Sequence, residues 1–484
     1  MLKAHSVSQI REAEEALAAT LPAGTLMQRA AKGLAAHLED IAPGELVLML
    51  IGPGNNGGDA LFAATHLLDR GVRVDLCLLD PGKVHEEGLA AARGAGAQVI
   101  EAPTAHRHVV DAMFGIGARP GLEGRAAEWA RWIDTTRPVV VSVDVPSGVD
   151  VDVDGATLPD STLPANYVRA DTTVTFGTHK AALLAGPAAT AASSVVLVDI
   201  GLTDHLGQPL LEAIEPEDGH LIAELLRPML DPTASVHKYT RGVVGVAAGS
   251  EAYAGAAHLC VAGAQSGIAG MVRFVGSPSL SARVVDRAPE VVAGRGRVQA
   301  WVVGPGGGDD AREQLALALE DGVPVVVDAD ALRFIPDRFD VPALLTPHAG
   351  ELATMMDTSR DEVEADPLGH VRAAAKRWNA TVLLKGALTL VAQEGKPTRV
   401  NQTGSPWLAT AGAGDVLAGL AGSFLAAGAD PREAGSIAAF LHGVASVRAN
   451  RSGPVTASMV AAALPRTIAD FQHWQLEKLR EWWD

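Results

Sequence analysis

Two successive α/β domains, each organised around a parallel sheet, are what the sequence predicts, and three observations predict them. Short apolar runs of strand length alternate with longer amphipathic stretches. Near the N-terminus, strand, glycine-rich turn, helix and second strand follow one another within about 35 residues, which makes a βαβ unit and hence a parallel sheet. The alternation then starts afresh after one stretch rich in Pro and acidic residues. At roughly 100–200 residues per domain, the 484 residues hold two or three such units. Gly at 51 residues and aromatics at only 4% suit tight turns between strands and helices.

Taken in order, residues 5–40 read as helix, with Ile10, Leu17, Leu26 and Leu34 interleaved with charges. Glu45–Ile51 is a buried strand running into the turn Gly52–Asp59, a helix over Ala60–Arg70 and a second strand at Val72–Leu79. Val109–Asp111 leads into Phe114-Gly-Ile-Gly117, and Pro138–Val145 into Pro146-Ser-Gly148; Thr172–Phe176 and Val195–Ile200 complete the series. Residues 203–235 lose periodicity and mark the junction, dividing the chain into domains 1–210 and 220–484. The second series opens at Gly242–Ser250. It continues with Ala300–Val303 into Gly304–Gly308, Val323–Val327 into Asp328-Ala-Asp330, and Val382–Leu384 into Lys385-Gly386. Ala469–Trp483 reads as a last helix whose Phe471, Trp474, Leu479 and Trp482 are expected to pack on their own domain, a self-contact between copies being the competing reading. The expected assembly is a homo-oligomer. No internal repeat is evident.

Charge and cysteine usage bound the function. Lys plus Arg total 39 against 57 Asp plus Glu, a formal net charge of −18, so no nucleic-acid or anionic-membrane partner is expected through bulk charge. A small phosphorylated ligand stays open, because a few backbone amides bind phosphate without net positive charge. Cys77 and Cys260 can form neither a disulfide framework nor a four-cysteine metal site, which points to a reducing, cytoplasmic setting. No apolar run approaches the ~18 residues of a membrane span, and charged residues follow the N-terminus where a signal-peptide core would stand.

Gly52-Pro-Gly-Asn-Asn-Gly57 satisfies the dinucleotide fingerprint, with Asp80 ending the next strand, and the direct reading is an NAD-dependent dehydrogenase. The loop argues otherwise. Asn55, Asn56 and Asp59 bring two amides and a carboxylate where a phosphate cradle has small residues, and such oxygens suit orienting a ligand or holding a hard cation. Asp111 before Phe114-Gly-Ile-Gly117 and Asp144 within Val143-Asp-Val-Pro-Ser-Gly148 stand at two further strand ends. An aspartate there is often only a helix cap, but three such ends on one edge make a site of Asn56, Asp111 and Ser147.

These three motifs, in this order, resemble the N-terminal epimerase domain of bifunctional NAD(P)HX repair enzymes, which interconvert the R and S epimers of hydrated nicotinamide cofactors. The resemblance covers about residues 5–205 and implies a Rossmann-like three-layer domain. It implies substrate contacts from Asn55, Asn56, Gly57, Gly58 and Asp59, from Gly115, Ile116, Gly117, Ala118, Arg119, Pro120 and Gly121, and from Asp144. It also implies a potassium site at Asn56, Asp111 and Ser147. Ala60 stands where many members have Gly, and Ile116 where Thr is common; neither change removes a ligand. Asp144 is the candidate to shuttle a proton during reversible ring opening or water loss, a purely binding role being the alternative.

In the second domain, Trp407-Leu-Ala-Thr-Ala-Gly412-Ala-Gly414-Asp415 opens an apolar helix, so free amides can face an oxyanion and Asp415 can take a proton from an attacking hydroxyl. This motif resembles the anion hole and base of the ribokinase-like superfamily. With Leu345-Thr-Pro-His348-Ala-Gly-Glu351, Val382-Leu-Leu-Lys385-Gly386, Gly304–Gly308 and Asp328-Ala-Asp330, it resembles the ADP-dependent NAD(P)HX dehydratase over about residues 220–465. The resemblance implies a ribokinase-like three-layer α/β fold. Lys385, Gly386, Ala387, Leu388, Thr389 and Gly414 would contact the nucleotide, and Ala256, Gly306, His348 and Asp415 the hydrated cofactor.

The expected reaction phosphorylates the added hydroxyl at the expense of ADP and expels phosphate, with Asp415 as base and magnesium accompanying the nucleotide. No magnesium ligand is assigned, and the choice of ADP over ATP rests on the resemblance. A small-molecule kinase, a dehydrogenase and a non-catalytic nucleotide binder are the competing readings. The expected partners are NADHX, NADPHX and ADP.

Overall fold

The structure is a computed structural model that describes residues 1–117, 119–151, 163–186, 188–215, 237–451 and 453–472. It is mixed α/β with parallel sheets, and the chain divides into two compact units: residues 3–211, and residues 212 onward together with the first two. Among the described residues no helix is long and apolar enough to cross a membrane.

In the first unit, β1 (Leu2–His5) pairs in parallel with β8 (His179–Lys180). The main sheet contains β2 (Leu46–Ile51), β3 (Arg73–Leu78), β4 (Gln98–Ile100), β5 (His108–Ala112), β6 (Val139–Val143), β7 (Ala170–Phe176) and β9 (Ala192–Val198). Its order is β4-β3-β2-β5-β6-β7-β9 and all pairings are parallel. The chain moves outward from β2 through β4, then returns to place β5 on β2's other side. The loops after β2 and β5 therefore diverge and open a crevice at the carboxyl edge. Register sets Asp111 beside Ser142 and Val143 beside Val174, so the motif-bearing strand ends share that edge.

Three expectations change here. The stretch 5–40 is not one helix but β1 followed by helices Val7–Ala18 and Thr25–His37, because Pro22 and left-handed Gly24 (φ 79°) interrupt it and Ser6 caps the first helix in a reciprocal box with Gln9. The helix after β2 starts at Asn55 rather than Ala60, so Asn55–Asp59 form its opening turns. Glycines usually discourage helix, yet a Cβ at Gly57 would run into the carbonyl oxygen of Gly52; close backbone approach outweighs propensity. The last strand is Ala192–Val198, earlier than Val195–Ile200.

The second unit begins with β10 (Leu211–Ala213), whose Glu212 receives Arg399 and Arg432 at 2.8 Å each. Its sheet holds β11 (Val243–Ala247), β12 (Met271–Phe274), β13 (Val292–Ala293), β14 (Ala300–Val303), β15 (Val325–Val327), β16 (Ala343–Leu345), β17 (Thr381–Leu384), β18 (Thr389–Ala392) and β19 (Thr398–Asn401). The order is β13-β12-β11-β14-β15-β16-β17-β18-β19, parallel as far as β17 and antiparallel beyond it. The direction of winding reverses between β11 and β14. The first turn of the helix carrying Ala256 and the loop carrying Gly306 follow the two strands that flank this reversal.

Helix Ala413–Ala426 crosses this sheet buried along nearly its whole length. It lies close enough to helix Ala254–Ala264 that a Cβ at Gly419 would strike the carbonyl oxygen of Cys260. Phe471, on the last described helix (Ala457–Gln472), is buried against Phe440 with ring centroids 5.5 Å apart, as a helix packing on its own domain requires. Trp474, Leu479, Trp482 and the junction residues 216–236 lie outside the described residues.

Candidate active sites

A cavity of about 1130 Å³ opens at the carboxyl edge of the first unit's sheet. Asn55, Asn56, Asp59, Gly115, Ile116, Gly117, Arg119, Pro120, Gly121 and Asp144 line it, so the motif residues scattered over 90 positions converge. Gly57 and Gly58 do not line it; they are buried in the helix's opening turn. Ala118 lies outside the described residues.

Behind the cavity wall, Asp111 is fully buried. Ser147 Oγ donates to its Oδ1 at 2.6 Å, while Ser142 Oγ and the Ser147 amide donate to its Oδ2 at 2.8 and 2.9 Å. Burial pushes this carboxyl upward against those hydrogen bonds. Asn56 Nδ2 donates to the carbonyls of Phe114 at 3.1 Å and Val143 at 2.7 Å, and its Oδ1 faces Gly115. Asn56 and Ser147 both bond the Phe114 backbone, Ser147 Oγ accepting its amide at 3.0 Å. The donors here are oxygens with one carboxylate among them, a set that fits a weakly charged hard cation better than zinc or copper.

Asp144 sits at φ 68°, in the left-handed region that non-glycine residues enter at a cost. Its amide donates to Val174 at 2.7 Å, and its Oδ1 accepts Thr175 Oγ1 at 3.2 Å and pairs with Lys180 Nζ. Lys180, Glu14 and Arg11 belong to this site or its rim and were not legible as motifs. Burial, then the charges of Asp144 and Glu14, hold the Asp59 carboxyl well above the usual range. Burial shifts Glu14 the same way.

In the second unit Gly412 (φ 86°) starts the Ala413–Ala426 helix, with Asp415 in its first turn. Burial, followed by the charge of Asp328, pushes the Asp415 carboxyl up to about 7, with Lys385 opposing. Lys385 Nζ donates to Asp328 Oδ1 at 2.8 Å, and Thr346 Oγ1 donates to the same oxygen at 2.8 Å. Glu351 lies 3.8 Å from the ammonium, and a Cβ at Gly414 would stand 3.4 Å from it. Burial works against the charged lysine, but Asp328 and Glu351 more than compensate and its pKa rises.

Residues Gly386, Ala387 and Leu388 form the exposed turn between β17 and β18, which ends at Thr389. Gly306 packs directly against Ala256 and Tyr253, since a Cβ at Gly306 would come within 2.7 Å of Ala256 Cβ. His348 caps helix Ala349–Met356: Nδ1 accepts the Glu351 amide at 3.1 Å, Glu351 Oε2 accepts the His348 amide at 2.8 Å, and the ring stays exposed. Asp328 and Glu351 entered the sequence reading only as parts of motif blocks. Among the described residues no group of three His, Cys, Asp or Glu side chains is arranged to hold a metal ion.

Comparison with known proteins divides the chain in the same two places. Residues 23–182 match the family described as YjeF-related protein N-terminus, and residues 244–469 the family described as NAD(P)H-hydrate dehydratase. The bifunctional NAD(P)H-hydrate repair enzyme of Mycobacterium leprae is 41% identical, covering 93% of this chain and 95% of that protein. That of Corynebacterium glutamicum is 34% identical over 96% and 98%. The solved structure of the ADP/ATP-dependent NAD(P)H-hydrate dehydratase from Bacillus subtilis, co-crystallised with ATP and magnesium, is 28% identical with a TM-score of 0.48, covering 51% of this chain and 97% of its own. With such identity running the full length of both relatives, this chain belongs to the family of bifunctional NAD(P)H-hydrate repair enzymes.

Proposed function

We propose that the first unit epimerises R- and S-NAD(P)HX and that the second dehydrates the S epimer to NAD(P)H, converting ADP to AMP and phosphate. The observation that carries this reading is the separation of two polar clusters, one at the carboxyl edge of each sheet, with Asp144 in one and Asp415 in the other. Spontaneous hydration gives both epimers, and a stereospecific dehydratase clears one of them. An epimerase on the same chain supplies the rest.

For the dehydration, hydroxide is a poor leaving group and phosphate a good one. Asp415 takes the proton of the substrate hydroxyl as its oxygen attacks the terminal phosphoryl of ADP. Of the amides of Gly412–Gly414 at the helix start, that of Ala413 is taken by the Thr410 carbonyl, and those of Gly412 and Gly414 would face the charge on the transferring group. Phosphate then departs with help from the ring nitrogen's lone pair, and loss of a proton from the neighbouring carbon restores the dihydropyridine. Lys385, anchored by Asp328 beside Gly414, adds positive charge where the nucleotide phosphates would lie. Magnesium fits as an ion carried by those phosphates, since such ions keep several waters and need few protein ligands.

In the first unit Asn56, Asp111 and Ser147 would hold potassium, which would supply fixed positive charge behind the substrate loops. Asp144 moves the proton there, Arg119 and the Gly115–Gly121 segment line the substrate's path, and the Gly57–Gly58 turn sets the helix start. A homo-oligomeric, cytoplasmic protein completes the reading.

Purified protein given mixed hydrated NADH epimers tests it. Dihydronicotinamide absorbance returns completely with ADP and not without it. No recovery with either ADP or ATP refutes the assignment, and a stable phosphorylated product would make the second unit a kinase.

A further inference from the structure

The floor of the N-terminal cavity holds charges that the mechanism above leaves unused. Lys180, on the two-residue strand β8, is only 1% exposed. Its ammonium donates to the Phe176 carbonyl at 3.0 Å and pairs with Asp144 Oδ1. Lysine is seldom buried this completely without a fixed partner. Thr175 Oγ1 donates to the same Asp144 oxygen, so both contacts fall on Oδ1 and Oδ2 is the oxygen left for a substrate in the cavity that Asp144 lines. Asp59 and Glu14 line the cavity too, with Arg11 at its rim. Of the three carboxyls only Asp144 pairs with the buried ammonium, while Asp59 and Glu14 feel its charge from farther away.

Resting on the epimerase reading, we propose that Lys180 is the positioning residue for the epimerase base: it fixes Asp144 as the carboxylate that accepts the substrate's proton and leaves Asp59 as the carboxyl that donates one. Hydration places the hydroxyl on the carbon next to the ring nitrogen, so the substrate is a cyclic hemiaminal. Asp144 takes the hydroxyl proton. The carbon–nitrogen bond breaks with its electron pair on nitrogen, Asp59 protonates that nitrogen, and the carbon becomes a planar aldehyde. Rotation followed by the reverse transfers closes the ring on the opposite face and returns each proton to its source. The upward shift of Asp59 by burial and by the Asp144 and Glu14 charges accords with its keeping a proton at neutral pH.

Lys180→Met and Lys180→Arg in the full chain test this, with epimer exchange of hydrated NADH followed by chromatography. In Lys180→Met, kcat for exchange is expected to fall about 100-fold with KM nearly unchanged. Lys180→Arg, which keeps a cation beside Asp144, should restore most of the rate. Dehydration of the pure S epimer should continue at the wild-type rate. Wild-type exchange in Lys180→Met, or a loss that Lys180→Arg does not recover, overturns the proposal. If Lys180→Met does not accumulate as folded protein, Asp59→Asn decides: exchange slowed about 100-fold with KM retained supports it, and unchanged exchange overturns it. A wild-type protein that exchanges no epimers would sink the epimerase reading and this proposal with it, whereas active wild type with unaffected variants sinks the proposal alone.

Discussion

The two units solve the same geometric problem with opposite local chemistry. Each sheet gathers a polar cluster at its carboxyl edge, and in each unit a glycine at positive φ starts a helix of that cluster, Gly54 in one and Gly412 in the other. In the first unit the helix start is tied down by side chain: Asn56 reaches across to the carbonyls of Phe114 and Val143. In the second, Gly412, Ala413 and Gly414 offer no side chain that could do this; the Ala413 amide turns back to the Thr410 carbonyl at 3.3 Å, which leaves the amides of Gly412 and Gly414 for a phosphoryl group. A glycine fingerprint in sequence is therefore weak evidence for phosphate binding until the intervening side chains are considered. The first loop matches the dinucleotide pattern, yet its asparagine bonds the neighbouring loops.

If the sites are chemically separate, breaking one should spare the other. The largest effect is expected from Asp415→Asn, which should slow dehydration by roughly 1000-fold while leaving epimer exchange at its wild-type rate. Chromatography of the epimers beside absorbance of the product measures both together. Asn56→Ala should do the converse more mildly, slowing exchange by about 10–100-fold and abolishing any potassium dependence, with dehydration of the pure S epimer intact. Exchange that is unchanged with and without potassium would remove the proposed cation site.

The smallest effect is one of pH. Asp415 must be ionised to act as base, and burial beside Asp328 raises its carboxyl to about 7. Dehydration should therefore hold its rate above that pH and fall about tenfold per unit below it. Epimer exchange should not share that limb. A single limb common to both reactions would argue for one shared site.

The sequence made the strand ends legible, because strand, turn and helix signals fix which residues sit at the carboxyl edge of a parallel sheet. Asp111 and Asp144 were read that way, whereas Asp415 was read from the glycine-rich start of an apolar helix. Lys180 was not, since it lies 36 positions beyond Asp144 on a two-residue strand and a lysine reads as solvated unless its surroundings are known. Glu14 was hidden likewise among the charges of an amphipathic helix. The helix start at Asn55 was missed because the residues that require glycine there, Gly52 and Met27, meet Gly57 and Gly58 only after folding. Strands β18 and β19 escaped because their antiparallel return breaks the strand–helix alternation used to locate the others.

Independence of the two centres is tested most directly by mixing two damaged proteins. Asp144→Asn and Asp415→Asn are each given the pure R epimer with ADP, singly and then in equal amounts together, and dihydronicotinamide absorbance is followed. Each alone should recover product no faster than spontaneous epimerisation and wild-type-free controls allow, and the mixture should approach the wild-type yield. A mixture that recovers no more than its components would contradict the assignment of one reaction to each unit.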